Sequence, residues 1–184
     1  MAAAISQPTH PYFEEIGRLF YNYRLAQFNR RYYTVLLARK KSWNLLTEVL
    51  IGLLSAAAAS LISMALAFHQ STDLLAWCAA VSSAIAFVLS VAAPVFGWNQ
   101  SIDDYTTRIH TWHYAERQIE SALRFLRHTA QSKREADLQV QFADEAYRTA
   151  DNVPDTGKQD MKLTKIIREE VERAIPPDYV WFAL

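Results

Sequence analysis

Val49–Phe68 reads VLIGLLSAAAASLISMALAF and Leu74–Trp98 reads LLAWCAAVSSAIAFVLSVAAPVFGW; only His69–Asp73 separates these uncharged runs of 20 and 25 residues. About 20 apolar residues at a rise of about 1.5 Å each span a hydrocarbon core of about 30 Å, so either run is long enough to cross a bilayer. A five-residue connector allows only a tight helical turn. The competing reading buries both runs inside a soluble helical bundle, which their Ala and Ser content would permit. A chain of 184 residues offers little material to cover two helices that are apolar all round. A run starting this far along the chain also does not fit a cleaved signal sequence. The pattern predicts an all-α membrane protein with two spans, about 46–68 and 74–97, inside a hairpin block of residues 44–98.

Charge supports the same division. The whole chain is neutral, with 19 Lys and Arg against 19 Asp and Glu, which argues against a nucleic-acid binder relying on bulk positive charge. Residues 1–43 hold seven basic residues and two acids, whereas residues 44–98 hold no basic residue and two acids, Glu48 and Asp73. Arg39-Lys40-Lys41 precedes the first run, and Arg108 and Arg117 follow the second within about 20 residues, the window of the positive-inside rule. Both termini are therefore expected in the cytoplasm of a bacterial cell-membrane protein, with 69–73 outside. Trp43, Trp77 and Trp98 lie near the run ends, where amphipathic rings favour the interface.

Within the runs, small residues recur. Gly52, Ala56, Ala59 and Ser63 fall on one stripe of the first helix, and Ala79, Ser83, Ala86, Ser90 and Ala93 on one stripe of the second. Such spacing lets helix backbones approach closely in lipid, either within one hairpin or between hairpins of several subunits. Centring the turn near residue 71 makes facing residues sum to about 142, which sets Glu48 level with Pro94 and Gly52 level with Ser90. Pro94 lacks an N–H, so the Ser90 carbonyl loses its helical partner and a kink is expected. Glu48, Ser90 and Pro94 then gather near the cytoplasmic mouth. Glu48 either reaches the interface and hydrogen-bonds Asn44 or water, or helps form a polar ring at a pore entrance.

Outside the block the pattern stays helical. Residues 1–43 carry an aromatic, basic helix beginning near Pro11, with Tyr21, Leu25, Phe28, Tyr32 and Val35 on one face. Residues 99–151 carry a long amphipathic helix. Its seam runs through Ile102, Tyr105, Ile109, Trp112, Glu116, Ile119, Leu123, Leu126 and Ala130, with Glu116 the one non-apolar member. The register arithmetic places the aromatic stripe beside this seam as a stalk that continues both spans into the cytoplasm. The seam breaks near residue 131, and a helix resumes over Ala136–Ala150. Residues 152–184 hold a loop with Pro154 and Gly157, a short helix over Lys158–Ala174 with Leu163, Ile167, Val171 and Ala174 on one face, and an apolar tail. Tyr179, Trp181 and Phe182 of that tail either cap the bundle or dock on a partner or the next subunit.

The chemistry is sparse. Four glycines form no phosphate loop, and one cysteine, Cys78, excludes a disulfide scaffold or a Cys-based zinc cluster and reads as a small packing residue. His110 and His113 sit three apart near Asp103 and Asp104 without a third ligand in a defined place, so they read as surface histidines. No nucleophile–base set stands out. No cofactor, metal or catalytic residue is expected, and the chain does not read as an enzyme.

The aromatic, basic first helix (Tyr21-Asn-Tyr-Arg-Leu25, Tyr32-Tyr33, Arg39-Lys-Lys-Ser-Trp43), the tight two-span pair and the long amphipathic third helix with its helical tail together resemble the SLATT family. These are the SMODS- and SLOG-associating two-transmembrane effector domains of bacterial conflict systems, and the resemblance covers nearly the whole chain. It implies an antiphage effector that oligomerises in the membrane to form a pore or perturb the bilayer, stopping the growth of infected cells. Its partners would be the lipid bilayer, further copies of itself, and a cytoplasmic sensor or a nucleotide-signal-producing protein. The alternative is a non-conducting anchor that recruits a cytoplasmic partner through its stalk.

Overall fold

The computed structural model describes residues 12–68, 73–95, 98–128, 132–154 and 159–176. These form five α-helices and no strand: α1 (Phe13–Phe68), α2 (Asp73–Val95), α3 (Trp98–His128), α4 (Lys133–Asp151) and α5 (Met161–Ala174). Glu14 and Glu15 in the first turn of α1 complement the positive end of the helix dipole. No proline interrupts its 56 residues, so the amphipathic and apolar portions run on as one element. Helices α3 and α4 fall on either side of the expected end of the seam near residue 131, and α4 begins at Lys133, three residues before the expected Ala136. Asp160 rather than Lys158 starts the last helix: its carboxylate accepts from the N–H of Lys162 and Leu163 at 3.1 and 3.0 Å, a regular N-cap. Loop residues 69–72, Ala130 and the tail from residue 177 lie outside the described residues.

The chain divides into two compact units: residues 1–34 with 106–184, and residues 35–105. The first is a four-helix bundle whose core is built from α1, α3, α4 and α5. Leu19, Ile119 and Leu126 are its largest fully buried side chains. Burying each removes enough apolar surface to contribute about 2–3 kcal/mol. On α3, Trp112, Ile119, Leu123 and Leu126 are buried, and Tyr105 and Ile109 are half-buried, so the seam falls where the heptad spacing places it. Trp112 meets Tyr147 of α4 edge to face at 5.6 Å. On α4 the buried positions are Ala136, Ala143, Ala146 and Ala150, a small-residue face. On α5 they are Leu163, Thr164, Ile167 and Val171, while Ala174 is exposed.

The stripe that α1 turns toward α3 differs from the expected one. It runs through Ile16, Leu19, Tyr23, Ala26, Arg30 and Tyr33, with Gln27 beside it. Gln27 contacts Glu116, Arg30 contacts His113, and Tyr33 contacts Arg108. The numbers of these partners sum to 143, 143 and 141, so the expected register along the helices stands while the face is rotated. Tyr21, Leu25 and Phe28 instead border α5, and the Tyr32 hydroxyl accepts from the N–H of Asp160 at 3.0 Å. The reason is that α1 serves more than one neighbour in a four-helix bundle, and both stripes obey the same alternating spacing of three and four.

In the second unit, the shielded positions of α1 are Thr47, Ile51, Leu54, Ala58 and Leu61, and those of α2 are Ala79, Ser82, Ala86 and Leu89. Each set alternates steps of three and four, the spacing of a left-handed helix pair. Thr47, Ser60, Ser63 and Ser90 each donate a hydroxyl to a carbonyl of their own helix at 2.8–2.9 Å, which satisfies them without water.

Candidate functional site

Many large apolar side chains among the described residues of the second unit are exposed. Leu46, Leu50, Leu53, Ile62 and Met64 of α1 are exposed, and so are Trp77, Val81, Ile85, Phe87, Val88 and Val91 of α2. By length and composition α1 is able to cross a membrane, yet only 11% of its most apolar window is buried; α2 adds a shorter apolar stretch, Trp77–Val91. A core helix of a soluble protein would have this surface covered, since exposed apolar patches of such extent mark contact with lipid or with another protein. Trp43 at one end of the belt is 62% exposed.

Among the described residues, no hydrogen bond links the polar side chains expected at the mouth. Glu48 is exposed and accepts from the Asn44 amide at 2.8 Å, one turn back on its own helix. The Ser90 hydroxyl turns to the carbonyl of Phe87, and no hydrogen bond among the described residues joins it to Glu48. Pro94 lies one residue before the end of α2 at Val95. Gly52 does not meet Ser90: a Cβ added there would find nothing within 4 Å. Of the expected packing stripe, Ala79 and Ala86 are buried, whereas Gly52, Ala56, Ala59, Ser63 and Ser83 are exposed. The helix pair closes on Ala58 and Leu54 instead, leaving the Gly52 stripe on its outer face. Cys78 is likewise exposed rather than packed.

The bundle unit holds a polar cluster that the sequence only hinted at. Glu116, the one non-apolar member of the seam, is 7% exposed. Gln27 Nε2 donates to Glu116 Oε1 at 3.1 Å and lies 3.0 Å from the Tyr23 hydroxyl. Arg30 Nε lies 3.0 Å from Glu116 Oε2 as an ion pair without hydrogen-bond alignment, and Arg30 Nη1 is 3.2 Å from His113 Nδ1. Burial, followed by the negative charges of Glu120 and Glu116, pushes the Tyr23 phenol above its ordinary value. A second anchor is Arg108, 5% exposed, whose Nη1 donates to the Tyr33 hydroxyl at 2.8 Å while its guanidinium lies 4.9 Å from that ring's centre. Its Nη2 donates to the carbonyl of Pro154, fastening the loop after α4. Arg108 entered the sequence argument only as a flanking charge, because a sequence shows a charge but not its partner.

No three His, Cys, Asp or Glu side chains among the described residues converge as a metal site would require. His113 belongs to the Glu116 cluster, 3.9 Å from its carboxylate, and His110 is exposed. Comparison with protein-family models, with curated proteins and with solved structures gives no match.

Proposed function

We propose that the protein is a membrane effector: residues 44–98 form a two-span hairpin in the bacterial cell membrane, both termini lie in the cytoplasm, and several copies assemble to conduct ions or perturb the bilayer. The observation that carries this reading is the uncovered apolar belt on α1 and α2, on a stretch without a single Lys or Arg. Lipid is the solvent that makes such a surface favourable, and the hydroxyls turned onto their own helix backbones suit an environment without water. One helix pair encloses no passage, so flux requires assembly. The outward Gly52–Ala56–Ala59–Ser63 stripe gives copies a place for close approach, with Glu48 near its cytoplasmic end. The bundle is the part that a cytoplasmic trigger would reach, and the resemblance to SLATT effectors makes that trigger a signal of phage infection.

The test is dye or ion release from liposomes holding the purified protein, alongside fractionation of expressing cells. The protein is expected in the membrane fraction, resistant to extraction by carbonate, and to release the dye at rising protein-to-lipid ratio. Recovery in the soluble fraction would overturn the membrane reading. Stable membrane insertion with no leak under any condition would overturn conduction and leave an anchor that recruits a cytoplasmic partner.

A further inference from the structure

A groove of about 390 Å³ lies between α1 and α5 of the bundle, lined by Tyr21, Arg24 and Phe28 on one side and by Arg168, Val171 and Glu172 on the other. Its volume falls within the range of small-molecule sites. Two arginines border it, one from each helix. Elsewhere in the bundle Arg18 pairs with Asp144, Arg30 with Glu116, and Arg108 with Tyr33. Arg24 and Arg168 have no such partner among the described residues, and the Arg24 Nε is buried with no hydrogen bond. Leaving a buried charged donor unsatisfied is costly, and native structures seldom do so without a reason.

We infer that this groove binds a nucleoside phosphate, with Arg24 and Arg168 holding the phosphate. Planar guanidinium groups grip phosphate oxygens through paired hydrogen bonds, and two of them from two helices give a positive focus that Glu172 alone does not cancel. The rest of the lining suits the remainder of such a ligand. Phe28 is held in a stack with Tyr32, rings 6.0 Å apart and 16° from parallel, so it presents a fixed aromatic platform for a base. Tyr21, 64% exposed, adds a second aromatic ring to the lining. The Glu172 carboxylate accepts hydrogen bonds and is suited to ribose hydroxyls, a use of acidic side chains that recurs at nucleotide sites. A bare inorganic anion would leave the aromatic part of the groove empty, and an uncharged nucleoside would leave both guanidinium groups unpaired.

Should the membrane reading hold, this groove is where a nucleotide trigger would be received; that link rests on the reading above, while binding is measured independently of it. The experiment is isothermal titration of the full chain in mild detergent, without magnesium, using ATP, GTP, adenosine and inorganic phosphate as probes. ATP or GTP is expected to bind saturably, with adenosine and phosphate each weaker by about tenfold or more. Arg24→Gln and Arg168→Gln should each weaken nucleotide binding by a similar factor, while Arg117→Gln, exposed on α3, should leave it unchanged. Arg168 lies on the exposed side of α5, so Arg168→Gln answers the question even if Arg24→Gln fails to fold. Absence of nucleotide binding, or binding that survives both groove variants, would overturn the assignment. Equal weakening by Arg117→Gln would also overturn it, showing attraction to general surface charge. Leak from liposomes without nucleotide binding would sink this inference and spare the membrane reading.

Discussion

Glu116 shows how much one side chain decides. It is the single charge in an otherwise apolar seam, and the bundle accepts it because Gln27 and Arg30 reach its two oxygens from α1. Glu116→Gln keeps the shape but strips Arg30 of its counter-charge. Removing one partner of a fully buried pair costs about 3–5 kcal/mol; Arg30 keeps 32% of its side chain in solvent, so about 2 kcal/mol is expected here, read as a lowered denaturation midpoint by circular dichroism. Tyr23 beside it adds a dependence on pH. Its raised pKa means that the folded state favours the neutral phenol, so its contribution is intact below the unfolded value near 10 and fades as pH climbs through the folded one. Melting between about pH 9 and pH 11 should therefore show a steeper loss of stability in the parent than in Tyr23→Phe. The seam's one irregularity was visible in the sequence, because a lone acid among eight apolar residues stands out. Its partners were not, since nothing in local spacing tells which residue of a distant helix will be opposite.

Whole helices were more legible than their faces. The periodicity of α3 and α5, and the breakers around residues 131 and 154, mark elements because they report on residues only a turn apart. The choice between two adjacent stripes of α1 depends on where α4 and α5 lie, and no local pattern carries that information. The same holds in the apolar block, where Ala58 and Ala79 are buried and Ala56 is not, although all are small and uncharged. The start of α5 illustrates a local rule that does suffice: Asp160 before a helical run predicts a cap. Asp160→Ala should cost about 1 kcal/mol. Because its backbone N–H also holds the Tyr32 hydroxyl, hydrogen exchange should quicken first in the opening turn of α5, around Leu163 and Thr164, with α3 unaffected. Uniform quickening across the bundle would show that α5 does not open separately.

For the molecule as a whole, the exposed apolar belt sets the working conditions. Phe87, 69% exposed, should tolerate Leu but not Arg, because a cation at the middle of a span costs about 2.5–3.5 kcal/mol on insertion. Phe87→Arg is expected to shift the protein out of the membrane fraction in expressing cells, and Phe87→Leu to leave it there. Gly52→Leu makes a different demand. Open space surrounds the site within one chain, so folding should be unaffected, while crosslinked oligomers and liposome leak should both fall if copies meet on that stripe. The division into two units has a further consequence for the growing chain. Tyr33 waits for Arg108, 75 positions downstream, and Arg18 for Asp144, 126 positions downstream. At about 5–20 residues per second, a ribosome delivers the first of those partners roughly 4–15 seconds late. Throughout that interval the apolar flank of Ile16 and Leu19 has emerged without its mates, and the intervening apolar helices are synthesised first. Translation thus sequences the assembly: the apolar middle is complete before the ends can join, and a nascent-chain chaperone has a window of seconds in which to bind.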